Sequence, residues 1–218
     1  MSVRTQQYRL DAGGQLFDMV ADPVQDHDIA KEKPEVAARL AKAVADYRTE
    51  VLPGIADKEL KPFTVGYPEF PTTQLPARDG IPHGGVQRSA KAPNCSFFTN
   101  WTKADDSITW DIEVANAGKY EAVVYYTCPA ADVGSKVELS FNGSRVEKTV
   151  SEPHDPPLYG AEHDRAKRES ESYVKDFKPL PFGTLDLKPG RGLLTLKALS
   201  VPGKSVMDVR LILLRLVK

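Results

Sequence analysis

SITWDIEVANAGKYEAVVYYTCPAADVGSKVELSFNGSRVEKTV, residues 107–150, decides the fold. Ile108, Trp110, Ile112 and Val114 alternate with Thr109, Asp111 and Glu113, the period of a strand with one buried face. Ala117-Gly118 turns the chain. Tyr120, Ala122, Val124 and Tyr126 then alternate with partly apolar neighbours, as in a central strand, so one of Tyr125 and Tyr126 points inward. Val137, Leu139 and Phe141 run into Asn142-Gly143, whose residues accept the positive φ of a two-residue hairpin, and Arg145–Val150 is the return strand. Beyond a long loop, strands over Gly183–Leu187 and Leu193–Leu199 flank Lys188-Pro189-Gly190-Arg191-Gly192, and a last strand runs over Met207–Val217. Short strands at this spacing, with no helical pattern between them, predict an antiparallel β-sandwich over 95–218 and a mainly β chain.

Upstream the pattern differs. Tyr8, Leu10, Leu16 and Phe17 flank Asp11-Ala12-Gly13-Gly14 and predict a hairpin. Asp22-Pro23 breaks the direction of the chain. Pro34 suits the first turn of a helix, where its missing N–H has no partner to lose. Val36, Leu40, Val44, Tyr47 and Val51 follow as one apolar stripe, and Pro53-Gly54 ends it. Residues 53–94 are rich in proline and glycine and carry no periodicity, which predicts an extended, proline-stiffened linker. The expected organisation is therefore a hairpin-plus-helix segment at 1–52, a linker at 53–94 and the sandwich at 95–218.

The 218 residues suffice for one large or two small domains. Net charge of -1 gives no electrostatic footprint for nucleic acid or an anionic membrane. No window approaches the roughly 18 apolar residues of a membrane span. MSVRTQQYRLDAGG has no apolar stretch of the kind a secretory signal needs. The two cysteines, Cys95 and Cys128, are too few for a metal cluster; they are read as one bridge or as two half-buried thiols.

The quoted strands resemble jelly-roll carbohydrate-binding modules of the family 6 and 35 type. A G-x-Y-x-x-x-V-x-Y strand is matched by Gly118, Tyr120, Val124 and Tyr126, and a V-x-L-x-x-N-G hairpin by Val137, Leu139, Asn142 and Gly143. The later strands match at Gly192–Leu196 and Met207–Leu211. These matches cover roughly residues 108–217 and specify architecture more than ligand. In such modules an acid at the position of Asp208 helps hold a structural Ca²⁺, although the N-terminal strand that supplies the other ligands is not matched here.

Residues 8–47 also look like the segment that closes the catalytic domain of alkaline-phosphatase-type sulfatases, with Gly14–Gln25 and Pro34–Leu40 as the matching runs. Tyr125–Ser135 and His154–Arg165 are similar to strings in a sandwich appended to bacterial sulfatases of the arylsulfatase or N-acetylgalactosamine-6-sulfatase type. The resemblance implies a parent family often periplasmic or secreted. It also implies a formylglycine cassette, C/S-x-P-x-R, for activity. Cys95 is followed by Ser96-Phe97-Phe98-Thr99 and Cys128 by Pro129-Ala130-Ala131-Asp132, so neither cysteine sits in one. The paired Asp residues of the sulfatase Ca²⁺ site are also unmatched. No sulfatase activity is expected of this chain alone.

The richest polar cluster is Glu152–Arg165. Its His154, Asp155, Tyr159, Glu162, His163, Asp164 and Arg165 suit sugar hydroxyls, a sulfate group or a cation. The histidine spacing matches no zinc-ligand pattern. The alternative is a proline-braced loop whose charges pair with one another or cap against a catalytic domain. Trp101, just before the sandwich, is read either as a flat face for a sugar ring or as a buried sandwich edge. Three functions follow. One is a non-catalytic sulfatase-like C-terminal portion whose sandwich supports a catalytic domain or engages polysaccharide or sulfated glycan. Another is a free-standing carbohydrate-binding protein. The third is a hydrolase that uses the 152–165 loop.

Overall fold

A computed structural model describes residues 1–55, 61–92, 94–160 and 162–217. The chain divides into two compact units, Met1–Leu60 and Lys61–Lys218.

In the first unit, β1 (Val3–Arg4), β2 (Tyr8–Leu10) and β3 (Leu16–Asp18) form an antiparallel sheet in that order. The predicted hairpin is present, and its turn is built by Asp11, whose Oδ1 accepts the N–H groups of Gly13 and Gln15, both at 2.8 Å. Downstream aspartates do the same work. Asp18, Asp22 and Asp28 accept backbone N–H bonds from Ala21, His27 and Ala30. Those bonds hold all three carboxyls below the usual range. α1 (Pro34–Glu50) starts on Pro34 as expected. Val36, Ala37 and Leu40 pack on Leu10 and Leu16, which gives the unit a small core of its own. The rest of the stripe is less covered: Val44 is half-buried, and Tyr47 and Val51 are 43% and 39% exposed. Pro53-Gly54 falls in α2 (Leu52–Ile55), a single turn after the break at Val51.

The second unit is a sandwich of β4 (Phe63–Val65), β5 (Thr72–Pro76), β6 (Ile81–His83), β7 (Gln87–Arg88), β8 (Phe98–Thr99), β9 (Ser107–Val114), β10 (Gly118–Thr127), β11 (Lys136–Phe141), β12 (Ser144–Thr149), β13 (Lys178–Leu187), β14 (Gly190–Ser200) and β15 (Asp208–Val217). One sheet runs β13-β10-β15-β8-β7, with β5 also on β15. The other runs β12-β11-β14-β9-β4, with β6 also on β9. Among the described residues every strand pairing is antiparallel except β4 with β9. The inner faces meet in a core that holds Trp110, Tyr120, Tyr126, Ile112, Leu139 and Leu194, each under 2% exposed. Asn142 and Gly143 take φ of 44° and 90° and join β11 to β12 in the expected two-residue turn.

Two expectations change. The stretch read as linker supplies β4, β5, β6 and β7 to the two sheets. These strands have two to five residues, too few to show a period, and Pro76 and Pro82 sit in strands that flank longer ones, where a missing N–H is tolerated. The strand expected at Gly183–Leu187 begins at Lys178. Its Pro179 and Pro181 hide the alternation. Phe182 is the extra residue of a bulge, because Ala122 pairs with Gly183 and Val123 with Pro181. Among the described residues no helix is long and apolar enough to cross a membrane.

Candidate functional site

The long connection between β12 and β13 crosses the end of the sandwich where β10 finishes and β15 starts. It is pinned to the body through His154 and Glu152 and braced within itself through Asp176 and Val174. His154 exchanges backbone hydrogen bonds with Cys128 at 2.7 and 2.8 Å. His154 Nε2 lies 2.6 Å from the Asp176 carbonyl, which can only accept, so Nε2 carries the proton. Tyr159 N–H donates to the Val174 carbonyl at 2.7 Å. The Tyr126 hydroxyl donates to the Glu152 carbonyl, and Lys178 pairs with the Glu152 carboxylate.

These contacts sort the predicted residues. His154 is half-buried and holds the loop in shape. Asp164 is taken up by Arg168 at 2.7 Å, and Arg168 also donates to the Ser172 carbonyl and lies 4.6 Å over the Tyr173 ring. Both act as struts: His154 Nε2 is committed to the Asp176 carbonyl, and the Asp164 carboxylate is ion-paired with Arg168. Asp155, Tyr159, Glu162, His163 and Arg165 face solvent. Glu162 and His163 stand 3.6 Å apart, and the Leu158 and Tyr159 side chains are each 48% exposed. What remains is an exposed aromatic ring on a fixed loop, with carboxylates, an imidazole and a guanidinium nearby in the chain. That arrangement can stack on a ring and hydrogen-bond to hydroxyls.

Trp101 does not join this group. It is 1% exposed, its Nε1 donates to the Asp106 carbonyl at 3.1 Å, and its own carbonyl accepts Val206 N–H. The preceding Asn100 takes φ of 56° and ties its side chain to the Gly85 carbonyl, which turns the indole into the core. The sugar-stacking expectation for Trp101 is therefore corrected.

Asp208 is corrected as well. Its Oδ2 accepts Lys175 Nζ at 2.6 Å and Thr127 Oγ1 at 3.4 Å, and the Lys175 and Asp208 side chains are each 17% exposed. An ammonium already supplies the positive charge that Ca²⁺ would bring, and the donors of a Ca²⁺ shell are not assembled around it, so the residues do not fit a calcium site. Among the described residues no three His, Cys, Asp or Glu side chains are grouped to hold a metal ion.

Both cysteines are free thiols. Cys128 is fully buried beside the Val206 carbonyl, and burial pushes its thiol up to about 11. The thiolate is the reactive form, so Cys128 is inert at neutral pH. Titration of the folded protein with a thiol reagent should modify Cys95 quickly and Cys128 only after denaturation. Rapid loss of both thiols under native conditions would contradict the burial of Cys128.

The sequence reading passed over a second exposed aromatic feature, Tyr67-Pro68-Glu69-Phe70, between β4 and β5. Tyr67 is 50% and Phe70 73% exposed. Its signal was available as two aromatics around Pro-Glu, but the proline-rich surroundings read as linker.

No family model and no curated protein matches the chain. Among solved structures it is similar to a GH26-CBM35 β-(1,4)-mannanase of Podospora anserina, at 17% identity and a TM-score of 0.46 over 67% of this chain and 28% of that one. It is similar to the mosquito-larvicidal Cry4Aa toxin of Bacillus thuringiensis at 15% identity and a TM-score of 0.47, over 67% of this chain and 24% of the toxin. The chain thus spans about a quarter of the length of each of these two proteins. It is also similar to a carbohydrate-binding module from Cellvibrio mixtus lichenase 5A, solved with cellotriose, at 12% identity and a TM-score of 0.43 over 67% of this chain and 98% of that one. Nothing in these comparisons shows a relationship to the sulfatases.

Proposed function

We propose that the sandwich is a non-catalytic accessory module that binds polysaccharide. The observation that carries this reading is the half-exposed Tyr159 ring on a loop whose backbone is fixed to the body on either side of it. A loop backbone already held in place loses little freedom on binding, so less of the stacking energy is spent on ordering it. Asp155, Glu162, His163 and Arg165 supply acceptors and donors for hydroxyls, and Arg165 suits a sulfate or carboxylate on the sugar. The resemblance of strands 108–217 to carbohydrate-binding modules supports the same reading.

Isothermal titration against neutral, uronic and sulfated oligosaccharides tests it. Tyr159→Ala should weaken binding about tenfold, the order of one lost aromatic contact. Arg165→Ala should weaken only the anionic sugars. A wild-type protein that binds none of them would overturn the proposal.

A second reading, support of a sulfatase-like catalytic domain, is favoured by α1. Tyr47 and Val51 continue the stripe whose first half is packed, yet both are exposed. Co-expression with such a catalytic domain lacking this segment should yield a stable complex. Elution of the two as separate species would count against it.

A further inference from the structure

The geometry points to a second pyranose-binding surface at the other end of the sandwich, formed by the Tyr67–Phe70 turn and the cleft beside it. The inference rests on the polysaccharide-binding reading but uses none of the residues of the 150–177 loop.

The turn is closed by Phe70 N–H donating to the Tyr67 carbonyl at 3.0 Å. Its two rings lie nearly parallel, with 16° between planes and 6.1 Å between centroids. It is clamped on both sides. Before it, Gly66 takes φ of 84° and its carbonyl accepts Asn116 Nδ2 at 2.9 Å, while the Tyr120 hydroxyl donates to the Asn116 carbonyl at 2.6 Å. After it, the Pro71 carbonyl accepts Leu216 N–H at 2.9 Å. Core packing does not account for a rigid turn that holds a phenyl ring 73% exposed. Pre-organised aromatic surface of this kind is what a ligand contact requires.

The cleft starts at the next residue. Pro71, Glu121, Arg215, Leu216 and Val217 line a volume of about 490 Å³. Glu121 and Arg215 are directly opposite in the β10–β15 register, both exposed, and among the described residues neither has an ion-pair partner. Thr72 and Thr184 pair with Arg215 and Glu121 in the same row and extend the line of polar groups. A stacked aromatic turn that runs directly into a cleft with a carboxylate and a guanidinium, and with hydroxyls in the same row, suits a pyranose ring, which offers C–H groups on one face and hydroxyls at its edge. A protein partner fits less well. Two rings bury about 150–250 Å² each when fully covered, far below the roughly 1,000 Å² of a specific protein interface.

The turn abuts the end of β15 and the start of β10, whereas the 150–177 loop lies where β10 ends. Ten strand residues separate the two surfaces by about 30 Å. One module would thereby hold two sugar segments at once.

The test compares wild type, Phe70→Ala, Phe70→Tyr and Tyr159→Ala by titration with cello-, manno- and xylo-hexaose, with a thermal melt of each. Phe70→Ala should remove one of two sites, or weaken binding about tenfold, with an unchanged melt. Phe70→Tyr should restore binding. If Phe70→Ala binds with wild-type affinity and stoichiometry while Tyr159→Ala is weakened, the second surface is overturned and the loop site stands. If wild type binds no sugar, the polysaccharide reading fails together with this surface.

Discussion

Trp101→Ala is expected to lower the melting temperature by about 10 °C and to leave the proposed sugar binding at 20 °C unchanged. A buried Trp replaced by Ala costs about 3–5 kcal/mol, through lost burial and the cavity left behind. For a domain of this size each kcal/mol moves the midpoint by about 2–4 °C. The cost should be near the upper end. The indole is 1% exposed and its N–H satisfies the Asp106 carbonyl, which loses its side-chain donor when the ring goes. Trp101→Phe should recover much of the loss, since it keeps apolar volume and gives up the hydrogen bond. Scanning calorimetry decides the matter. An unchanged midpoint with weakened sugar binding would put Trp101 on the surface and contradict the fold at this point.

Gly66→Ala should be nearly as damaging, by about 3 kcal/mol or more, for two separate reasons. The φ of 84° disfavours any side chain, at a cost of about 1–3 kcal/mol. A Cβ there would also lie 1.8 Å from the Tyr120 hydroxyl oxygen, so the ring must move and release the Asn116 carbonyl. Gly190→Ala separates the two causes. Gly190 takes φ of 140° and has open space within 4 Å of where a Cβ would lie, so only the backbone cost applies. Denaturant melts should place Gly66→Ala clearly below Gly190→Ala. Equal stabilities would mean that the Tyr120 contact is not rigid. Because Gly66 anchors the aromatic turn, its variant should also lose the binding proposed for that end.

The parts of this fold that were legible in the sequence are those where one strand carries enough residues to show its own period. β9, β10 and β11 alternate over six to ten residues, and Asn142-Gly143 allows few other backbones. The Asp11 hairpin and the helix start at Pro34 are equally local. β4 to β7 are different in kind. The strand character of β4, β5 and β6 comes from hydrogen bonds offered by β9 and β15, farther along the chain, while β7 pairs with the equally short β8, and segments this short do not announce it. The candidate site divides along the same line. That 150–177 is a polar loop could be read directly. Which charges remain available could not, because Asp164 is claimed by Arg168, His154 by Asp176, and Asp208 by a lysine 33 residues upstream. A tryptophan in a loop carries no mark of whether it faces in or out, and Trp101 faced in.

The position of β15 has a kinetic consequence. This strand lies between β10 on one side and β5 and β8 on the other, so one sheet stays in two halves until residues 208–217 are in place. The strand it joins at Thr72–Pro76 is made long before it on the ribosome. Until then the apolar faces of β10 and β13 have only part of their final partners. Pairing across such separations is slow, and exposed strand edges aggregate while they wait. The module should therefore fold as a unit only after synthesis reaches β15, and its yield should depend more on temperature and chaperone supply during expression than its final stability suggests.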